Sequence, residues 1–232
     1  TIPYADVSQT RGNGIVAFVD EKGNVVASEA FASIFGKEKR GIGVGVLSDH
    51  YDALGWMSMS GQTYYLHGKD QNVYLTRMDA DTLQAQLDEL YFLVIDSYDV
   101  SSLGKEKIKA IEKWVKNGGW LLIGTGERGK DTLGGFDSSF MEVSCKSVSK
   151  VGEENDASKE MQQLGSYSGF TGIDFSQMPV ANLQRNNINA SKSEAYPGWV
   201  YACGDGAIGV CAISFGEKQM QKASPDLCYG IY

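Results

Sequence analysis

LYFLVIDSYDVSSLGKEKIKAIEKWVKNGGWLLIGTG, residues Leu90 to Gly126, decides the fold, because it reads as strand, loop, helix, tight turn and strand. Its two apolar runs, Tyr91 to Ile95 and Trp120 to Ile123, show no alternation of apolar and polar residues, the pattern of strands covered on both faces. That implies a parallel sheet with helices on both sides. Between the runs, Ile108, Ile111 and Val115 recur at helical spacing, lysines and Glu112 occupy the other side, and Asn117-Gly118 supplies a left-handed stop. The stretch is one βαβ unit.

Upstream, IGVGVL from Ile42 to Leu47 is expected as the first buried strand, with Ser48-Asp49-His50 at its carboxyl end, where doubly wound sheets put their ligands. Asp52 to Ser58 reads as a short helix, and the polar, aromatic segment Gly61 to Gln71, with Tyr64, Tyr65 and His67, as a loop. Val73 to Met78 is expected as the second strand, ending at Asp79, and Asp81 to Leu90 carries Leu83, Leu87 and Leu90 on one helical face. Further upstream, GIVAFVDEKGNVVASEAF, Gly14 to Phe31, places two apolar runs around Glu21-Lys22-Gly23-Asn24, a hairpin signal. The charged connector Lys37-Glu38-Lys39-Arg40 follows. The chain therefore divides near Gly36 into a β-hairpin element, 1–36, belonging to a preceding β unit, and an α/β domain, 37–232.

Downstream of Gly126 the pattern weakens. Glu127 to Phe140 is glycine-rich, Met141 to Val148 alternates like an exposed strand, Glu153 to Gln163 has the composition of a short polar helix, and Met178 to Leu183 reads as a further strand. Trp199 to Cys203 and Ala207 to Phe215 are expected as two strands joined by Gly204-Asp205-Gly206, the second being the last of the main sheet. Asn189-Ala190-Ser191 matches the glycosylation sequon, read here as a chance match.

At 232 residues and 42% hydrophobic, the chain is long and apolar enough for a sizeable core. A formal net charge of -8 and a pI near 4.8 argue against a nucleic-acid backbone or an anionic membrane as partner. No apolar run approaches the roughly 20 residues of a membrane span. The opening Thr1-Ile2-Pro3 lacks the charged and apolar regions of a signal peptide, and the chain stops within the apolar patch Cys228 to Tyr232. A piece of a longer protein, with any signal peptide removed or never there, is the expectation. Cys145, Cys203, Cys211 and Cys228 form no C-x-x-C pair and have no histidine at ligand spacing, so no metal site is expected. Cys203 and Cys211 sit at unequal distances from the turn between them, so buried apolar thiols are expected rather than a cross-strand disulfide. GTGERG departs from both the G-x-G-x-x-G and the Walker spacings, and no cofactor is expected.

With these residues in view, the run from Ile42 to Gly126, with a strand ending in Asp96, a helix closing in WVKNGG and a strand WLLIGTG, resembles the class I glutamine amidotransferase-like (flavodoxin-like) fold. More narrowly it resembles the extracellular, non-catalytic bacterial branch, in which a β unit precedes the α/β domain; GDGAIGVCAISFG is similar to that branch's late hairpin. Together these cover about half the chain. Related folds include the trimerisation domains of some bacterial β-galactosidases, which bind and assemble. The resemblance implies a surface or extracellular location. Active amidotransferases carry a cysteine on a sharp turn after a central strand, with a downstream histidine and glutamate to activate it. Here the strand is Trp120 to Ile123 and the turn is Gly124-Thr125-Gly126, without a cysteine. Thr125 would need a base, and His50 and His67 both lie upstream. No helix is expected to start at Glu127-Arg128-Gly129-Lys130-Asp131, given the further glycines Gly134-Gly135.

Asp49, Asp79, Asp96 and Glu127 are each expected at or just past the carboxyl end of a different parallel strand, and convergent carboxylates there bind cations or sugar hydroxyls. The ordinary alternative is that Asp79 and Asp96 cap nearby backbone while the others are solvated. His50 is a candidate base or an exposed loop histidine. Tyr64 and Tyr65, with Tyr51 and Trp56, are a candidate platform for sugar rings or a protein partner, or packing over the sheet edge. Lys105, Lys107, Lys109 and Lys113 form a basic helix face of the kind that is usually just solvated. The expected function is a non-catalytic ligand-binding or assembly module of a surface or secreted bacterial protein, carbohydrate-related. Its ligand would be a small molecule, a glycan or a protein. The alternative is a hydrolase using Asp49, His50, Asp96 and Thr125.

Overall fold

The computed structural model describes residues 13–19, 25–32, 41–57, 64–66, 69–152, 159, 173–193 and 196–222. The boundary near Gly36, the expected polar helix over 153–163 and Cys228 lie outside them or almost wholly so. Strands β1 (Asn13–Val19) and β2 (Val25–Ala32) pair antiparallel as the expected hairpin.

Among the described residues the main sheet has eight strands. Its parallel core is β3 (Gly41–Ser48), β5 (Lys69–Arg77), β6 (Phe92–Asp96), β7 (Trp120–Gly124) and β12 (Gly206–Cys211), in the spatial order β5-β3-β6-β7-β12. β4 (Tyr64–Leu66) adds antiparallel to β5 at one edge; β11 (Gly198–Cys203) and β10 (Ser191–Lys192) add antiparallel to β12 at the other. Trp120 to Ile123 thus runs through the interior of the sheet, as its unalternating sequence implies. A second sheet pairs β8 (Val143–Lys150) with β9 (Pro179–Arg185).

Each central strand alternates its side chains between two cores. Leu93, Ile95, Leu121 and Ile123 pack on one side with Leu83 and Leu87 of α1 (Leu83–Gln86) and its 3-10 extension, and with Ile108, Ile111, Trp114 and Val115 of α2 (Lys105–Lys116). Phe92, Val94 and Leu122 face the other core with Leu54 and Met57 of the 3-10 helix Tyr51–Met57, Met178 and Val180 around β9, and Phe215. Coverage on both faces removes any polar side from these strands, at about 1.5–3 kcal/mol for each large side chain buried. α2 stops where Gly118 adopts φ 111° and its N–H reaches back to Val115 O at 2.9 Å, the left-handed exit expected of Asn-Gly.

Two local expectations need correction. Tyr64 to Leu66 is an edge strand rather than loop, because β5 begins at Lys69, earlier than the apolar run at Val73, and offers it a pairing edge. A helix also follows the turn at Gly126: a 3-10 segment Gly126–Arg128 runs into α3 (Gly129–Gly134). Its glycines disfavour helix, but burial of Gly129, Thr132 and Leu133 offsets that. Gly129 lies against Cys145 and Ala181, where an added Cβ would come within 3.1 Å of both side chains.

Candidate functional site

Strand register brings Ser48, Asp96, Gly124 and Cys211 into one row at the carboxyl ends of β3, β6, β7 and β12. The chain leaves β3 for β5 on one side and returns past it to β6 on the other, so the strand order reverses between β3 and β6. Crevices form at such reversals, because the connections diverge to opposite faces of the sheet.

Asp96 stands in the middle of this row and is fully buried. Its Oδ1 accepts from Phe215 N at 2.7 Å, and its Oδ2 accepts from Ser214 Oγ at 2.8 Å and Gly216 N at 3.2 Å. It caps backbone, as the ordinary alternative proposed, but backbone far along the chain. Burial pushes its pKa up to about 6, against the pull of the Phe215, Ser214 and Gly216 bonds, with a small further rise from the charge of Glu217. Trp56 adds a second clamp on the same segment, its indole N–H donating to Phe215 O at 2.8 Å.

The turn after β7 is equally closed. Thr125 is fully buried, its hydroxyl donates to Cys211 O at 2.6 Å, and its backbone N–H lies between Cys211 O and Ile213 O. A Cβ at Gly124 would collide with Asp96 Oδ1 and lie 2.8 Å from the Phe215 ring. Gly126 has φ 52°, and a Cβ there would come 2.9 Å from Ser214 N. No position of this turn has room to present a reactive side chain to solvent.

Exposed and partly buried groups surround this carboxyl end, the mouth of the sheet. Arg128 donates from Nη1 to Asp49 Oδ2 at 2.6 Å and to Ser97 O at 2.9 Å, and its Nε lies 3.7 Å from Asp131 Oδ2, so one guanidinium joins the ends of β3, β6 and α3. The Asp49 hydrogen bond, above all, holds its pKa still higher than usual. Ser97, at φ 48°, is the non-glycine residue with positive φ among those described; its N–H is fixed by Gly124 O at 2.9 Å. His50 is exposed, its backbone N–H held by Ser48 Oγ at 3.0 Å. Glu127 is exposed, and Glu217 is half-buried with its pKa raised by burial first and by the charge of Glu127 second, against the opposing influence of His50. Glu127 and His50 therefore both sit close enough to Glu217 for it to feel their charge.

Asp79 and the tyrosines stand apart. The Asp79 carboxylate accepts from Asp81 N at 2.8 Å, while its carbonyl accepts from Thr82 and Leu83 N at the start of α1. Tyr64 and Tyr65 pair with Gln71 and Asp70, before the point where β3 joins β5 at Asn72, and so lie at the amino end of the sheet, opposite the mouth. Tyr51 and Trp56 pack against the core, Tyr51 donating to Leu75 O at 3.2 Å. Arg128, Ser97, Ser214 and Glu217 were not legible as site residues, because their partners lie tens of residues away. The one available signal was the position of Ser97 and Arg128 just past strand ends. Among the described residues, no group of three or more His, Cys, Asp or Glu side chains is arranged to hold a metal ion, and Cys145 and Cys203 are free thiols. No helix among them is long and apolar enough to cross a membrane.

No protein-family model and no curated protein matches the chain. Solved structures do. An exo-beta-1,4-mannosidase from Opitutaceae bacterium strain TAV5 is similar at 15% identity over 82% of this chain and 36% of its own, with a TM-score of 0.48. Cytoplasmic protein STM3548 from Salmonella typhimurium is similar at 11% identity over 95% and 94%, with a TM-score of 0.46. A catalytic mutant of Gan42B, a GH42 beta-galactosidase from G. stearothermophilus, is similar at 12% identity over 84% and 29%, with a TM-score of 0.43. The chain spans about a third of the length of the two glycosidases. Likeness at this level carries no argument about activity.

Proposed function

We propose that this chain is a non-catalytic binding module of a surface or secreted protein, with a flavodoxin-like, glutamine amidotransferase-like domain whose ligand face is the mouth around Arg128. Numbered along the chain, the parallel strands stand in the order 2-1-3-4-5, which is the flavodoxin-type order. The observation that carries the non-catalytic reading is the buried Thr125 hydroxyl, spent on Cys211 O at 2.6 Å. A nucleophile needs an exposed oxygen and a base within hydrogen-bond reach. At the mouth, Arg128 and His50 offer donors while Asp49, Glu127 and Glu217 offer acceptors, a mixed set suited to a polyhydroxylated ligand such as a sugar.

The test is a saturation-transfer NMR screen of mono- and oligosaccharides with the wild type and Arg128→Ala. A bound sugar that stays chemically unchanged, and whose affinity drops about tenfold or more in the variant, the loss expected for a charged hydrogen-bond donor, supports the proposal. Consumption of the ligand by the wild type would replace it with the hydrolase reading.

A further inference from the structure

Among the described residues, the buried polar side chains are bonded inside the protein with one exception. Ser48 Oγ accepts from His50 N at 3.0 Å, and Asp96 takes its three donors. Thr125 Oγ1 donates to Cys211 O, Thr132 Oγ1 to Arg128 O at 3.0 Å, and Ser214 Oγ to Asp96 Oδ2. Ser97 is the exception. It is only 8% exposed, its N–H is held by Gly124 O and its carbonyl by Arg128, yet among the described residues its hydroxyl has no hydrogen-bond partner. The fully enclosed side-chain atoms without a partner are Glu142 Oε2 and Trp199 Nε1, so the small surface that Ser97 keeps includes its oxygen. A hydroxyl taken largely out of water and left unbonded is unfavourable. The backbone of Ser97 is unfavourable as well, since φ 48° lies in the left-handed region that a residue with a Cβ avoids. Glycine would make the same two backbone hydrogen bonds without that strain. Both costs fall on one residue at the end of a central strand, the setting in which strain accompanies ligand contact.

We propose that the Ser97 hydroxyl is a ligand contact of the mouth, paired with a hydroxyl of the bound sugar; this rests on the reading of the mouth as a sugar site. Arg128 Nη1 joins Asp49 Oδ2 at 2.6 Å to Ser97 O at 2.9 Å, which sets Ser97 beside an anchored cation and carboxylate. An apolar ligand would leave the Ser97 hydroxyl unpaired. A cation would meet Arg128 next to it, and an anion would meet the carboxylates of Asp49, Glu127 and Glu217. A neutral polyol escapes all three objections. Its hydroxyls, like that of serine, donate and accept at once, so one sugar hydroxyl supplies the partner that the fold withholds from Ser97.

The probes are D-glucose, D-galactose, D-mannose and N-acetyl-D-glucosamine, titrated by saturation-transfer NMR against the wild type, Ser97→Ala and Ser97→Gly. Affinity for the sugar that the wild type binds should fall about 3- to 10-fold in both variants, the loss expected of one neutral hydrogen bond. Alanine keeps the Cβ and glycine removes it, so equal losses trace to the hydroxyl rather than to the backbone. Because that hydroxyl bonds to nothing among the described residues, Ser97→Ala should melt within about 2 °C of the wild type. One monodeoxy derivative of the bound sugar should bind the wild type about 3- to 10-fold more weakly than the parent sugar, yet bind Ser97→Ala as the parent sugar does, the signature of a direct pair. Undiminished binding by both variants, with Arg128→Ala still weakened, overturns this inference and leaves the sugar site standing. A loss that is the same for the parent and every monodeoxy derivative means that Ser97 acts through the fold, and overturns it too. No binding of any of the four sugars by the wild type overturns the inference and the reading of the mouth together.

Discussion

Replacing Asp96 by asparagine should change how stability depends on pH more than whether the chain folds. The side chain is fully buried and accepts three hydrogen bonds from residues 214–216. Asparagine keeps one oxygen for Phe215 N; the Ser214 hydroxyl can turn to accept from the new amide, and Gly216 N retains Ser214 Oγ at 3.2 Å. What the substitution removes is a buried charge. The folded pKa of about 6 lies above the ordinary 3.8, so the native state holds this proton more tightly than the unfolded chain. The stability this contributes is fully present below about pH 4 and lost as pH rises through about 6. A shift of about two units corresponds to about 3 kcal/mol, of which about 1.4 kcal/mol is recovered between about pH 7.5 and about pH 5. Urea unfolding of both proteins across that range isolates the effect, since Asp99, Asp137 and Asp174, whose pKa values are lowered, titrate alike in both and cancel. The wild type should gain on the variant by about 1.4 kcal/mol toward acid, or roughly 3–6 °C in Tm for a chain of this size. A difference that is flat with pH, or that grows toward neutral pH, would mean that the three donors outweigh burial and would refute the reasoning.

Two further substitutions probe the closed turn. Gly124→Ala places a methyl group on Asp96 Oδ1 and near Phe215, and should cost about 1–3 kcal/mol as an overpacked site, read as a lower urea midpoint with an unchanged m-value. Thr125→Cys should yield a folded protein with no glutaminase activity in an ammonia-release assay, because the thiol would be buried where the hydroxyl now meets Cys211 O.

The parallel core was readable because a strand covered on both faces leaves a plain signal, an apolar run without alternation, as in Phe92 to Ile95 and Leu121 to Ile123. The same logic misses elements made by tertiary context. Tyr64 to Leu66 is strand because β5 lends it an edge, and α3 forms despite its glycines because Thr132 and Leu133 are buried. At the site, residues past strand ends could be named from sequence, and Asp49, Asp96 and Thr125 do stand in the carboxyl-end region. What each does could not be read. Asp96 and Thr125 bond to backbone at 211–216, and Asp49 meets an arginine 79 positions away; no local pattern encodes such pairings. Tyr64 and Tyr65 were grouped with Tyr51 and Trp56 by proximity in sequence, whereas register places them at the amino end of the sheet.

The proposed binding role without chemistry at the turn is tested most directly by intact-mass spectrometry of the native protein after incubation with a glutamine-analogue electrophile, alongside Thr125→Ala. With the Thr125 hydroxyl enclosed and spent on a carbonyl, both proteins should keep their unmodified mass. A single covalent adduct on the wild type, mapped to Thr125 and absent from Thr125→Ala, would contradict that account and make the chain an enzyme.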